Sequence, residues 1–302
     1  MGIKDLNDPW RSGRVLAWDP GRKDMTVLMQ RQAIPDSIGI HHAQGKIYWT
    51  NMGSVGAEDG SIMSCTLDGR EPRTIVSSGR VHTPKQLFID EVNDKIYFAD
   101  REGLQVGRCN LDGSSLEVLI ETGNRRVTAH RNDPTRWCVG IAVSLRANKL
   151  FWTQKGPPRG GTGRILCADL EKPVLCHAWD RPDVVELAEK LPEPIDLAYD
   201  ENTRTLYWTD RGDPPYGNSL NALGLEPARP GRYDILARTL HEPIGFALDT
   251  TRKRMLVAGV GGDVYHYDIQ TGRKRRVYQG ENCAFSGICI GRAAERPCMS
   301  KM

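Results

Sequence analysis

KIYWTNMG (Lys46–Gly53), KIYFADREG (Lys95–Gly103), KLFWTQKG (Lys149–Gly156) and TLYWTDRGD (Thr205–Asp213) are one motif that returns four times along the chain. Each copy follows an apolar stretch broken by a short polar turn: SIGIHHAQG, QLFIDEVND, GIAVSLRAN and DLAYDENTR. A degenerate fifth copy, GFALDTTRKRMLVAGVGGD, begins at Gly245. From Tyr48 through Tyr97, Phe151 and Tyr207 to Leu256 the steps are 49, 54, 56 and 49 residues. A period near fifty built of short strands is the mark of a propeller or a similar closed array.

Each unit parses as four strands. Inner strands begin at Ile34-Pro35, Thr83-Pro84, Trp137-Cys138, Glu193-Pro194, Glu242-Pro243 and Ala284-Phe285, which makes six. DVVELAEKL has the look of a short helix, but its place in the repeat makes it a fourth strand. The chain opens with a third and a fourth strand, GRVLAWDPG and DMTVLMQRQ, and closes with a first strand, FSGICIG. Joining the two ends completes a sixth blade, with its second strand around Gly2–Leu6, and removes the open sheet edges. The expectation is an all-β, six-bladed β-propeller forming a single domain over residues 1–302.

Within YWT the side chains alternate, so Tyr48 and Thr50 face one side of the blade and Trp49 the other. Flat rings fill the wedge between twisted sheets with a large apolar area, so these aromatics make the fold. Asp-Gly at Asp68-Gly69 and Asp112-Gly113 supplies the positive φ of tight hairpins.

The 302 residues are 39% hydrophobic and 26% charged, as in an ordinary soluble protein. A net charge of +3 with acids and bases interleaved excludes a nucleic-acid footprint. The densest basic run, Arg273–Arg276, sits on a strand and guards an edge. The polar start MGIKDLNDPWRSG does not resemble a signal peptide, and no apolar run approaches the ~18–20 residues of a membrane span. Cys65, Cys109 and Cys167 recur at one place in the repeat, as small core residues. Reduced thiols and a cytoplasmic location follow. No GxSxG, HExxH, Walker loop or zinc spacing occurs, so neither a cofactor nor a metal is expected.

At these residues the chain resembles the YWTD propeller family known from low-density-lipoprotein receptor ectodomains. It departs from the pattern where Asn51 and Gln154 replace the acid kept at Asp100 and Asp210. A free-standing propeller of this size is similar to a small fungal group encoded beside secondary-metabolite pathways. Members of that group are hetero-Diels–Alderases that make tropolone–sesquiterpene adducts. The resemblance implies small-molecule partners, a tropolone and a terpene, and no cofactor.

Propeller topology gathers the start of each inner strand and the end of each second strand at one mouth. Ser37, Gln86, Gly140, Asp196, Gly245 and Gly287 align at one level of the channel, and this mixture of polar residues and glycine is what a shaped pocket requires. Channel residues that merely hold water are the alternative. Asn51, Asp100, Gln154 and Asp210 belong to the same mouth. Long loops there carry Trp10 and Tyr216, while Trp137 and Phe285 stand where other repeats have proline or a neighbour. His82 and His241 precede inner strands and are placed to donate a hydrogen bond or move a proton.

Two readings compete. In the first, a cofactor-independent enzyme aligns a heterodiene and an alkene. Gln86, Asn51 or His82 then polarises the heterodiene oxygen, and Glu193, Asp196 or Glu242 assists a dehydration that forms an o-quinone methide. In the second, the mouth is a flat, charged and aromatic protein-binding face. A calcium-dependent lactonase using Asn51, Asp100, Asp196 and Asp210 is a third possibility, against which the YWT repeat speaks.

Overall fold

The computed structural model describes residues 1–5, 7–21, 25–54, 56–226 and 232–291. They form six four-stranded antiparallel sheets, each one blade of a β-propeller. Blade one contains Pro35–His41, Lys46–Asn51, Ser61–Thr66 and Arg73–Val76. Blade two contains Pro84–Asp90, Lys95–Asp100, Gln105–Asn110 and Glu117–Glu121. Blade three contains Cys138–Ser144, Lys149–Gln154, Gly163–Asp169 and Val185–Leu191, so the helix-like DVVELAEKL segment is a strand. Blade four contains Pro194–Asp200, Thr205–Asp210, Ser219–Gly224 and Asp234–Arg238. Blade five contains Pro243–Asp249, Arg254–Gly259, Asp263–Asp268 and Lys274–Gln279.

Blade six is built from both ends of the chain. Ala284–Phe285 is its inner strand, Gly2–Ile3 its second, and Gly13–Trp18 and Met25–Gln32 its third and fourth. Gly2 pairs with Phe285 on one side and Arg14 on the other. The second strand is thus shorter than the expected Gly2–Leu6, and Leu6 lies outside the described residues.

The repeated motif holds neighbouring blades together. Trp49, Trp152 and Trp208 are at most 1% exposed. Tyr48 packs forward onto Ile96 and Phe98 of blade two, while Trp49 packs back onto Val15 of blade six. A buried aromatic covers roughly 150–250 Å². At about 25 cal/mol per Å² each ring contributes up to roughly 4–6 kcal/mol, an upper bound. The threonine is a staple. Thr50 Oγ1 accepts the Ser37 N–H at 3.0 Å within its blade and donates to the Lys85 carbonyl of the next at 2.8 Å. Thr153 and Thr209 repeat the arrangement on Gly140 with Ile195, and on Asp196 with Ile244. The Asp-Gly hairpins form as read, with Gly69 and Gly113 at φ +80° and +82°. Cys65, Cys109 and Cys167 are buried free thiols, and burial raises the pKa of each.

Candidate functional site

Six inner strands surround the channel, and successive residues along each define levels within it. At the level read from sequence, Ser37, Gln86 and Asp196 line one central cavity of about 250 Å³. Apolar residues, including Ile38, Leu87, Ile141, Leu197 and Phe246, stand among them, together with Tyr199. The three glycines have a packing reason. A Cβ on Gly140 would lie 2.1 Å from the Ile195 carbonyl oxygen, and one on Gly245 or Gly287 2.5 Å from the next strand's carbonyl.

Asp196 is the chemically unusual group of this cavity. Burial pushes its carboxyl up to about 8, with help from nearby Asp36, while backbone N–H donors from Phe246 and Leu197 and the charge of Lys85 pull the other way. Burial therefore favours its protonated form.

One residue closer to the strand starts, charges close the mouth. Lys85 pairs with Asp36, and Gln86 Nε2 donates to the other Asp36 oxygen at 3.0 Å. Val139, Ile195, Ile244 and Val260 pack together as the apolar side of this plug. Glu193, 1% exposed, accepts from Lys155 at 2.9 Å and Arg211 at 2.7 Å. Burial opposes its charge, but these two cations hold its pKa below the ordinary glutamate value. Arg101 and Lys155 stand 5.0 and 5.4 Å from the centre of the Trp137 ring. Trp137 also donates its indole N–H to the Arg131 carbonyl at 2.8 Å. Glu242 is half-buried at the rim and pairs with Arg159 at 3.2 Å. Of the three carboxylates considered for dehydration, Asp196 alone lines the central cavity.

The motif acids turn toward the backbone of their own blade. Asp100 accepts the N–H groups of His82 and Thr83 at 2.9 and 2.6 Å and the Gln105 amide at 3.1 Å. Asp210 accepts those of Glu193 and Gly212, at 3.0 and 2.9 Å, and burial raises its pKa to about 7. Asn51 donates to Gln32 at 3.1 Å, and Gln154 accepts from Arg164. The bonds of Asp100 and Asp210 fix the entry into the inner strands of blades two and four. His82 is fully buried, with Nδ1 2.9 Å from Thr83 Oγ1 and Nε2 without a partner among the described residues. No group of three or more His, Cys, Asp or Glu is placed to hold a metal among the described residues.

The four candidate aromatics are spread over the molecule. Trp10 is 40% exposed on a one-turn helix, Pro9–Ser12. Tyr216 is 62% exposed and edges a groove with Arg159, Asp213 and Tyr233. Phe285 is buried against Tyr278 and lines a mainly apolar cavity of about 260 Å³ between blades five and six.

The chain is 44% identical over 279 residues to low-density lipoprotein receptor-related protein 1 of Pyricularia oryzae, spanning 89% of each. It belongs to the low-density-lipoprotein-receptor-related family of YWTD propellers. It is also 40% identical over 298 residues to the 3-hydroxyacyl-CoA dehydrogenase-like protein LAM1 of Cochliobolus heterostrophus. That match covers 96% of this chain but 63% of the relative's length. No family model matches. Among solved structures, a chain of a nidogen/laminin complex superposes with a TM-score of 0.70 at 19% identity, covering 92% of this chain and 95% of that one. That likeness concerns fold alone.

In this YWTD propeller, sequence reading missed the plug. Asp36 and Lys85 precede the aligned channel positions by one residue, and Arg101, Lys155 and Arg211 directly follow the motif acid or its substitute. The signal was visible: three of the four clear motif copies are followed by a cation, where blade one has Met52.

Proposed function

We propose that this propeller is a cofactor-independent hetero-Diels–Alderase of fungal secondary metabolism, acting in the cytoplasm on a tropolone-derived o-quinone methide and a terpene alkene. One observation carries the reading: a buried carboxyl whose pKa is raised to about 8 lines the central cavity, beside polar groups and several apolar side chains. Convergent polar groups with a perturbed acid in a cavity lined partly by apolar side chains fit a small-molecule site.

In this reading Asp196 protonates the departing hydroxyl of a hydroxymethyl-tropolone, and the ring hydroxyl returns a proton to the carboxylate. One water leaves and the o-quinone methide forms. Gln86 and the reprotonated Asp196 then donate to its carbonyl oxygen. The cycloaddition consumes three π bonds of the reactants and makes one new π bond, one C–C and one C–O bond, so no external reactant is needed. Holding the partners in one orientation contributes up to roughly 7–11 kcal/mol. The dehydrogenase activity in the name of one relative is not carried over, because the described sheets are all antiparallel and the helices only four residues or shorter.

The test incubates the protein with a hydroxymethyl-tropolone and a humulene-type alcohol and reads adducts by chiral chromatography and mass spectrometry. A single enantiomer formed faster than without protein is expected. Racemic adduct at the background rate would sink the assignment for these substrates.

A protein-binding face is the second reading, favoured by the closed mouth. Buried ion pairs fill it, leaving Trp137 with Arg101, Arg159, Glu242 and Tyr216 as a charged and aromatic rim.

A further inference from the structure

Trp49 and Trp152 hold the same position in blades one and three, yet their indole N–H groups end differently. In blade one the N–H donates to Gln32 Oε1 at 2.8 Å. Gln32 comes from the last strand of the preceding blade, where it pairs with Gly13. Glu121, paired with Gln105, takes that register ahead of blade three. The Trp152 ring is 1% exposed, and its N–H has no partner among the described residues. A buried donor left unpaired costs about 1–3 kcal/mol. Trp208 shares the lack of a partner, but its ring packs against Tyr233 at 5.0 Å.

Beside Trp152 the blades leave a cavity of about 390 Å³, larger than the central one. Two long connections wall it. Residues 122–137 join blades two and three, and residues 170–184 link the outer strands of blade three, where blades one and two use only 67–72 and 111–116. The second connection is tied firmly to blade two. Ala178 accepts the Glu121 N–H at 2.8 Å, Lys172 donates to the Val118 carbonyl at 3.1 Å, and buried Arg181 bonds the Leu119 and Asp169 carbonyls.

The lining is chemically divided. Trp152, Leu166 and Trp179 give it apolar faces, while Arg136, Arg164 and Arg181 give it a cationic edge that outnumbers the one lining carboxylate, Glu121. Trp179 is 64% exposed and stacks on His177, with ring centres 5.3 Å apart. Arg164 is held by Gln154 and, at 3.4 Å, by Glu186, and Arg136 by the Thr122 carbonyl and Asp133. A polar cavity of this size, with an unpaired buried donor and oriented guanidinium groups, asks for an acceptor from outside the chain.

We propose that the cavity between blades two and three binds a small planar carboxylic acid. Its carboxylate accepts from Trp152 Nε1 and the Arg164 guanidinium, and its ring lies among Trp152, Leu166 and Trp179. This site is separate from the central cavity, so either proposal stands or falls without the other.

The seven tryptophans give seven indole N–H resonances in a ¹H–¹⁵N spectrum. Trp152→Phe keeps a buried ring and identifies the resonance concerned. If that variant does not fold, triple-resonance assignment of the unaltered protein replaces it. Sodium benzoate is expected to move this resonance saturably. Benzylamine, of similar size but cationic and without an acceptor, leaves it in place. Arg164→Gln weakens benzoate by at least about tenfold with the rest of the spectrum unchanged. A Trp152 resonance that benzoate leaves unmoved, or that both probes move alike, overturns the proposal in favour of a merely hydrated cavity. So does a resonance that moves in Glu121→Gln without any probe, because Glu121 then supplies the acceptor itself.

Discussion

The Asp196 carboxyl of blade four accepts the Phe246 N–H of blade five at 3.0 Å, while also accepting the Leu197 N–H at 2.9 Å. Ser37 makes the corresponding link between blades one and two, taking the Leu87 N–H on its hydroxyl at 3.0 Å. The polar residues of the channel are therefore both clamps between blades and the wall of the central cavity. That dual use ties the chemistry of Asp196 to the stability of the ring.

Asp196→Asn tests the stability side. An unfolded aspartate titrates near about 3.9, whereas this one is raised to about 8. Between those values the native state keeps a proton that the unfolded state has lost. The group's contribution to stability is therefore fully present below about pH 4 and is lost as pH rises through about 8. Asparagine removes this slope but leaves one backbone N–H with a poorer partner, at about 1–3 kcal/mol. Melting temperatures across pH 4–9 should show the variant less stable than the parent at acidic pH, with the gap closing, or reversing, as pH rises from about 4 to about 8 and constant beyond. Parallel curves would show that Asp196 does not titrate in this range.

The same titration governs the proposed reaction. If the protonated carboxyl is the acid, the rate of adduct formation falls as pH rises through about 8. Asp196→Asn lowers it roughly 10²–10⁴-fold, the usual scale for a positioned acid. The same pH–rate profile in parent and variant, both above background, would remove Asp196 from the chemistry.

Glu193 carries the plug. Glu193→Gln leaves Lys155, 5% exposed, with its ammonium next to a neutral amide. Removing one partner of a buried pair costs about 3–5 kcal/mol, because the remaining charge is uncompensated. Pairing Glu193→Gln with Lys155→Met should recover much of that loss. Because the folded Glu193 pKa lies below its ordinary value, its stabilisation is present near neutral pH and is lost as pH falls through that depressed value. Chemical unfolding of the single and double variants measures the coupling, and additive losses would mean the pair is not coupled.

The fold was legible because its signal is periodic: Tyr48, Tyr97, Phe151 and Tyr207 recur at nearly even spacing, and spacing survives without knowledge of contacts. Ser37, Gln86 and Asp196 were legible for the same reason, since alignment of the inner strands suffices to put them on one level. Asn51, Asp100, Gln154 and Asp210 sit at the correct end of the blades, but no spacing rule reveals that their polar groups turn to the backbone and to neighbouring side chains. The cations of the plug could be read after the motif copies, but the pairing of Asp36 with Lys85 was hidden because they belong to different blades and meet only once the ring closes. The cavity beside Trp152 was hidden for a related reason: the missing acceptor is a property of two adjacent blades.

Thr153→Val separates the staple from the ring packing. Valine has nearly the shape of threonine but no hydroxyl, so the apolar contacts of Trp152 and Phe151 remain. Two hydrogen bonds disappear, one from the Gly140 N–H at 2.7 Å and one to the Ile195 carbonyl at 3.0 Å. Both partners stay buried, which sets the cost at about 1–3 kcal/mol for each unsatisfied group. At about 2–4 °C per kcal/mol for a chain of this general size, the melting temperature should fall by several degrees. The structure contains its own control, since Ala99 and Ala258 occupy the threonine position in blades two and five. Ala99→Val adds volume at 0% exposure without removing a bond, so its penalty is one of overpacking. If amide exchange in Thr153→Val accelerates at Gly140 and at its neighbours in blade four, the hydroxyl holds the two blades together. If exchange rises uniformly over all six blades, the threonine stabilises the ring only as a whole.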